Sequence, residues 1–155
     1  MKNLLGRLTG VCLLAGLAST AVQPQTIQGA SADERAIRGL IALHASASQR
    51  DDFANLVGGY HVDADVRRSD GSIVSGKVAI EKIYRDILSG GPKRMAHIHP
   101  PETIRIRFLQ PDVAFVDVAS EPVSQPGERT PYFLLFTKVQ GKWGVAVERS
   151  GVPLK

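Results

Sequence analysis

From Arg94 onward the chain offers almost nothing but strand and turn, and this half limits the fold more than any other feature. RMAHIHPPETIRIRFL, VAFVDVASEPV, TPYFLLFTKV and KWGVAVERS are rich in β-branched and aromatic residues. They are separated by Gln110-Pro111-Asp112, Ser124-Gln125-Pro126-Gly127 and Gln140-Gly141, short polar links of the kind that join antiparallel neighbours. Pro100-Pro101 removes two backbone donors from the first run, which must break or bend there.

The first half reads differently. Ser31-Ala32-Asp33-Glu34 is a capping box, a serine followed three residues later by a glutamate. It opens a helix whose stripe is Ile37, Leu40, Ile41, His44, Ala45 and Ser48, spaced by three and four. Asp51-Asp52 caps a second, short helix with Phe53, Leu56 and Val57, closed by Gly58-Gly59. Val62 to Arg68 is a strand, Asp70-Gly71 a tight turn and Ile73-Val74 a short return. Ser75 is the expected cap of a third helix, with Ile80, Ile83, Tyr84, Ile87 and Leu88 on one face and Gly90-Gly91 and Pro92 as its stop. The order is helices with a small hairpin, then long strands. This is the α+β class: a curved antiparallel sheet with about three helices on its concave face.

The segment before the first helix is expected to be processed. MKNLLGR carries Lys2 and Arg7 with no acid, and LTGVCLLAGLASTAV is an apolar run too short to span a bilayer. Ser19-Thr20-Ala21 supplies small residues for a peptidase, so residues 1–21 read as a signal peptide and 22–30 as a polar lead-in to the domain at 31–155. The protein is therefore expected to be exported, periplasmic or secreted, with no membrane attachment once cleaved. The single cysteine, Cys12, lies in this segment, so the mature chain would hold no disulfide, thiol nucleophile or thiolate ligand. Loss of Lys2 and Arg7 lowers the formal charge from +4 to +2. The remaining short pairs, Arg67-Arg68 and Lys93-Arg94, are not interleaved with aromatics, which argues against a nucleic-acid partner.

Two strands are apolar on both faces, AFVDV and YFLLF. Helices cover only one face, so the other needs a partner, and a homodimer through the sheet is the expected solution.

MAHIHPPE is the stretch with the most chemistry. His97 and His99 stand two apart and would share one face of a strand. A metal site would need more ligands, and His44, His61, Asp65 and Glu102 stand at no diagnostic spacing, so no metal is expected. Acid–base work or pocket lining is the better reading of the pair. His44 lies on the first helix's apolar stripe, facing the sheet. Tyr60 and Tyr132 bring hydroxyls that need partners, and Phe53 and Trp143 supply apolar wall or core. Asp63 and Asp65 share a strand face, where pairing with Arg67 or Lys77 is the plainer reading. No glycine-rich strand-to-helix turn and no G-x-S-x-G is present, so neither a nicotinamide or flavin cofactor nor a serine nucleophile is expected.

These residues carry a resemblance. DERAIRGLIALHASASQRDDFANL, HVDADVRRSDGSIVSGKVAIEKIY, the histidine-bearing strand with QPDVAFVDV, and the closing KW…V resemble the nuclear-transport-factor-2-like superfamily, near its SnoaL-like group. The resemblance implies a cone-shaped pocket between helices and concave sheet, dimerisation through the sheet, and a histidine on the His97 strand facing the pocket. The ketosteroid isomerases of this superfamily use an aspartate base with a tyrosine and a second acid. By spacing, the tyrosine position falls near His44, the base near Arg67-Arg68 and the second acid near Leu134, so two of those three roles are vacant. The expectation is a protein that binds a small, mainly apolar molecule through His44, Phe53, Tyr60, His97, His99 and Tyr132, without cofactor and without a conventional catalytic set. The alternative is a cofactor-independent isomerase, cyclase or lyase with His97 as acid or base and His44 or Tyr60 polarising a carbonyl.

Overall fold

The computed structural model describes residues 30–68, 70–89, 97–123 and 126–151, with backbone alone at residues 30, 31, 88, 97 and 98. The expected signal peptide, most of the lead-in, the Ser31 side chain of the capping box and the Gly90-Gly91-Pro92 stop lie outside the described residues. The elements are α1 (Ala30–Gln49), α2 (Phe53–Leu56), β1 (Tyr60–Arg67), β2 (Ile73–Ser75), α3 (Lys77–Ser89), β3 (His97–Ile98), β4 (Arg105–Gln110), β5 (Val113–Pro122), β6 (Thr130–Val139) and β7 (Lys142–Ser150). No described helix is long and apolar enough to cross a membrane.

The strands form one sheet in the order β2-β1-β7-β6-β5, with β3 and β4 sharing the far side of β5. The long run predicted around Pro100-Pro101 is thus two strands on one edge. His97 pairs with Pro122 and Arg105 with Asp117, and a 3-10 turn at Pro101–Thr103 fills the gap. The Thr103 hydroxyl, 2.7 Å from Pro100 O and 3.0 Å from Ala119 O, shares its hydrogen between them and keeps the interrupted edge close to β5 where the prolines cannot donate.

Two expectations need correction. The sheet is mixed, because β1 runs parallel to β7. These two strands are far apart in sequence, so no hairpin fixes their relative direction. The third helix is capped by Gly76, not Ser75. Ser75 pairs with Asp65 in the β1–β2 ladder, and Gly76, at φ 89°, turns the chain and takes the Ile80 N–H at 3.0 Å. Asp52 caps α2 as expected, its side chain accepting from Asn55 N at 3.2 Å.

The predicted α1 stripe is the face that packs on the sheet. Ile37, Ile41, Ala45 and Ser48 are buried, and Leu40 and His44 are half-buried beside them. Their counterparts are the inward residues of β5 and β6, among them Ala114, Val116, Val118, Leu134 and Phe136. Asp33, in the first turn of α1, fastens the helix to the β6–β7 hairpin. It receives Lys138 Nζ at 2.7 Å and Trp143 Nε1 at 2.9 Å. Those hydrogen bonds, Lys138 first, hold its carboxyl below the usual carboxylate range.

A β-bulge in β7 decides what the sheet presents to the helices. Phe136 pairs with Val145 but Leu135 pairs with Val147, so Ala146 is the extra residue. Strict alternation from Trp143 and Val145 would turn Val147 inward and Glu148 to the outer face. The bulge shifts the parity, so Glu148 stands opposite Leu134 on the inner face and is 5% exposed.

Candidate functional site

Between α1, α2, α3 and the concave sheet lies a cavity of ≈ 80 Å³. At 10–15 Å³ for each water-sized occupant, that is room for roughly five to eight waters. Its apolar wall is built by Leu40 and Ile41 from α1, Leu56 from α2, and Val118, Leu134 and Phe136 from the sheet. Its polar groups are His44, Tyr60, Tyr84, His99, Tyr132 and Glu148, joined by smaller contributions from Ser48, Asn55 and Ser120.

The polar groups are gathered. Tyr60 opens β1 and is buried. Its hydroxyl donates to Glu148 Oε2 in a short hydrogen bond and lies 3.1 Å from the Tyr84 hydroxyl. Tyr84, one turn after Ile80 on α3, also reaches Glu148, donating to Oε1 at 3.5 Å. Glu148 is thus a buried carboxylate held by two phenols, and no lysine or arginine pairs with it among the described residues. Burial, followed by the negative charge of Glu148, pushes both phenols well above 10.0. Burial raises the Tyr132 phenol as well, against a smaller opposing pull from the neighbouring Ser120 hydroxyl. That contact is proximity only, because Ser120 Oγ makes no hydrogen bond of ordinary geometry.

His44 stands beside this group. Its ring centroid is 5.6 Å from that of Tyr84, 6.2 Å from Tyr60 and 6.2 Å from His99. Nδ1 lies 3.0 Å from the Leu56 carbonyl oxygen. A carbonyl only accepts, so Nδ1 carries a hydrogen, and in the neutral ring Nε2 is the acceptor nitrogen. The short α2 sets this tautomer by bringing Leu56 O against α1.

Of the residues singled out in the sequence, His44, Tyr60, His99 and Tyr132 line the cavity together. Phe53 does not. On the single turn of α2, Leu56 and Asn55 face the cavity, while Phe53 lies beneath the Arg85 guanidinium at 4.4 Å on α3. The backbone of His97 forms β3, and its side chain is outside the described residues. The other candidate metal partners are dispersed: His61 bonds Thr137 O, Asp65 pairs with Arg149, and Glu102 pairs with Arg129 at 3.7 Å. Among the described residues no group of three or more His, Cys, Asp or Glu could hold a metal ion. Glu148 and Tyr84 are site residues that sequence reasoning did not select. Tyr84 could have been found as the one hydroxyl on the α3 stripe; Glu148 could not, because the bulge that turns it inward leaves no mark in the alternation.

The chain matches no family model and no curated protein by sequence. Solved structures do match. A Nostoc punctiforme domain of unknown function with a cystatin-like fold superposes with a TM-score of 0.71 at 18% identity, covering 81% of this chain and 80% of its own. A nuclear-transport-factor-2-like protein of unknown function from Pseudomonas putida gives 0.67 at 16%, covering 81% and 89%. A proposed scytalone dehydratase from Novosphingobium aromaticivorans gives 0.64 at 16%, covering 80% and 87%. At these identities the likeness establishes the fold, which is the cystatin-like, nuclear-transport-factor-2-like α+β cone the resemblance implied.

Proposed function

We propose that this chain, a nuclear-transport-factor-2-like cone, is an exported protein that binds a small, mainly apolar molecule between its helices and sheet. The observation that carries the reading is the cavity itself: an aliphatic and aromatic wall with a few polar groups gathered around Glu148 and His44. Small-molecule sites are built this way, with apolar surface for affinity and a few fixed polar atoms for orientation. A protein with no use for the space would close it, because an unfilled core costs stability. The N-terminal basic residues and apolar run support export, and the outer-face pair Phe115 and Phe133, stacked at 5.9 Å with Phe133 42% exposed, supports pairing with a second copy through the sheet.

A second reading is favoured by one specific observation. A buried carboxylate beside a histidine of fixed tautomer is a costly arrangement that marks acid–base sites. In this reading the protein is a cofactor-independent isomerase, cyclase or lyase. His44 Nε2 takes a proton from the bound molecule, and Glu148 stabilises the imidazolium that results.

The test is Val118→Phe, which fills the cavity from β5. Ligand-observed NMR against a library of small cyclic compounds should give binders to the wild type that the folded variant loses. Binders that persist in the variant would place the binding elsewhere and refute the reading. The acid–base reading adds that a binder's C–H protons exchange with deuterated solvent, and that His44→Ala stops the exchange without abolishing binding.

A further inference from the structure

Around Glu148 and His44 the hydrogens of the polar groups are already committed, while His99 and Asn55, also on the lining, carry N–H groups of their own. The Tyr60 hydrogen goes to Glu148 Oε2. The Tyr84 hydrogen goes either to Tyr60, 3.1 Å away, or to Glu148 Oε1. His44 spends its hydrogen on the Leu56 carbonyl, and Ser48 spends its own on Ala45 O at 2.7 Å. What remains toward the cavity is acceptor capacity: the Nε2 lone pair of His44 and the unused lone pairs of Glu148 and the phenol oxygens. The sheet wall adds the Tyr132 and Ser120 hydroxyls, which rotate to donate or accept and so set no preference. Glu148 also brings a negative charge, and no lysine or arginine of the described residues pairs with it.

We infer that the buried head of the ligand is a hydrogen-bond donor, a hydroxyl or an ammonium, and not a carbonyl oxygen. The inference rests on the binding reading above and narrows it. A carbonyl brought against Glu148 and His44 Nε2 would meet acceptors, and buried acceptors left without a donor cost their desolvation. Polarisation of a carbonyl by Tyr60 is unavailable, because its only hydrogen is taken by Glu148. A donor head would complete the set, bonding His44 Nε2 or Glu148 while its apolar body lies on Leu40, Val118 and Leu134.

A matched set tests this: cyclohexanol, cyclohexylamine and cyclohexanone, with affinities measured by ligand-observed NMR titration on the wild-type protein. The alcohol or the amine should bind about tenfold or more tighter than the ketone, the difference expected when one buried polar group is left unpaired. An amine tighter than the alcohol identifies an ammonium head; an alcohol equal to or tighter than the amine identifies a hydroxyl. Glu148→Gln turns one acceptor into an amide with hydrogens to give, and should shrink or reverse the preference over the ketone. Equal binding of all three, or preference for the ketone, overturns the donor inference and leaves the binding reading standing. If none binds while the protein is folded, the cavity does not take small cyclic molecules, and both readings fall together.

Discussion

Tyr60→Phe is the perturbation with the clearest energetic signature. The substitution keeps the ring and its packing and removes the hydroxyl, the donor to Glu148 and the neighbour of the Tyr84 hydroxyl. Glu148 then loses its short hydrogen bond and keeps only the long one from Tyr84 at 3.5 Å. A hydrogen bond to a charged group contributes about 1.5–3 kcal/mol, and leaving a buried charge without its partner costs more than losing a neutral bond. Tyr60→Phe should therefore lower stability by about 2–3 kcal/mol at pH 7. In a Glu148→Gln background the acceptor is neutral, and the same change should cost about 1 kcal/mol or less. The coupling across the cycle is then about 1.5 kcal/mol, well above the few tenths expected of independent sites. Urea unfolding of the four proteins, followed by Trp143 fluorescence and fitted with a common m-value, measures it. Tyr132→Phe, whose hydroxyl makes no bond to Glu148, is the control and should show little coupling. If Tyr60→Phe costs the same in both backgrounds within about 0.5 kcal/mol, Glu148 is not a charged acceptor sustained by Tyr60, and the account of the polar end is wrong.

Three further outcomes follow from the same structure. Tyr60 and Tyr84 are held neutral well above 10.0, while unfolded phenols ionise near that value. Their contribution is complete below pH 10 and is lost as pH rises toward the folded values, by up to about 1.4 kcal/mol per pH unit for each. Urea midpoints measured from pH 9 to 11 should fall above pH 10, less steeply in Tyr60→Phe. Asp33→Asn should cost about 1 kcal/mol at pH 7 by loosening α1 from Lys138 and Trp143. Because the Asp33 carboxyl is held below 3.8, that difference should persist above pH 4 and vanish as pH falls through the lowered folded value, which acid titrations of both proteins will show. Phe133→Glu puts a charge on the half-exposed outer stack with Phe115, so sedimentation should find a dimer for the wild type and a monomer for the variant.

Much of the cone was legible because its signals are local. The α1 stripe from Ile37 to Ser48 repeats at helical spacing and is the face that meets the sheet. The turn at Gln140-Gly141 and the prolines at 100 and 101 punctuate the strands where the backbone requires it. His44, Tyr60, His99 and Tyr132 were reachable by the same logic, as polar groups on faces that must point inward. What escaped depends on long-range pairing. The parallel match of β1 to β7 joins segments that no turn links. The bulge at Ala146 inverts the inward set of β7, and only the register against β6 reveals it. Strict alternation along β7 would turn Glu148, the acid of the site, to the outer face, so its sequence neighbours give no sign of its burial. Phe53 went the other way: its aromatic character suggested a pocket wall, but a four-residue helix has room to point only some of its side chains at the cavity.

The most direct test of the central claim is a native mass spectrum of the protein purified from its own source, followed by denaturing extraction. The account predicts ions of a dimer of chains shortened by about the first twenty residues. Each should carry a small organic molecule that leaves on denaturation and bears a hydroxyl or amine. Ions at the bare chain mass under gentle conditions, with the same result after incubation with the alcohol and the amine, would contradict a ligand-binding cone and return Glu148, Tyr60 and Tyr84 to the status of a structural hydrogen-bond network.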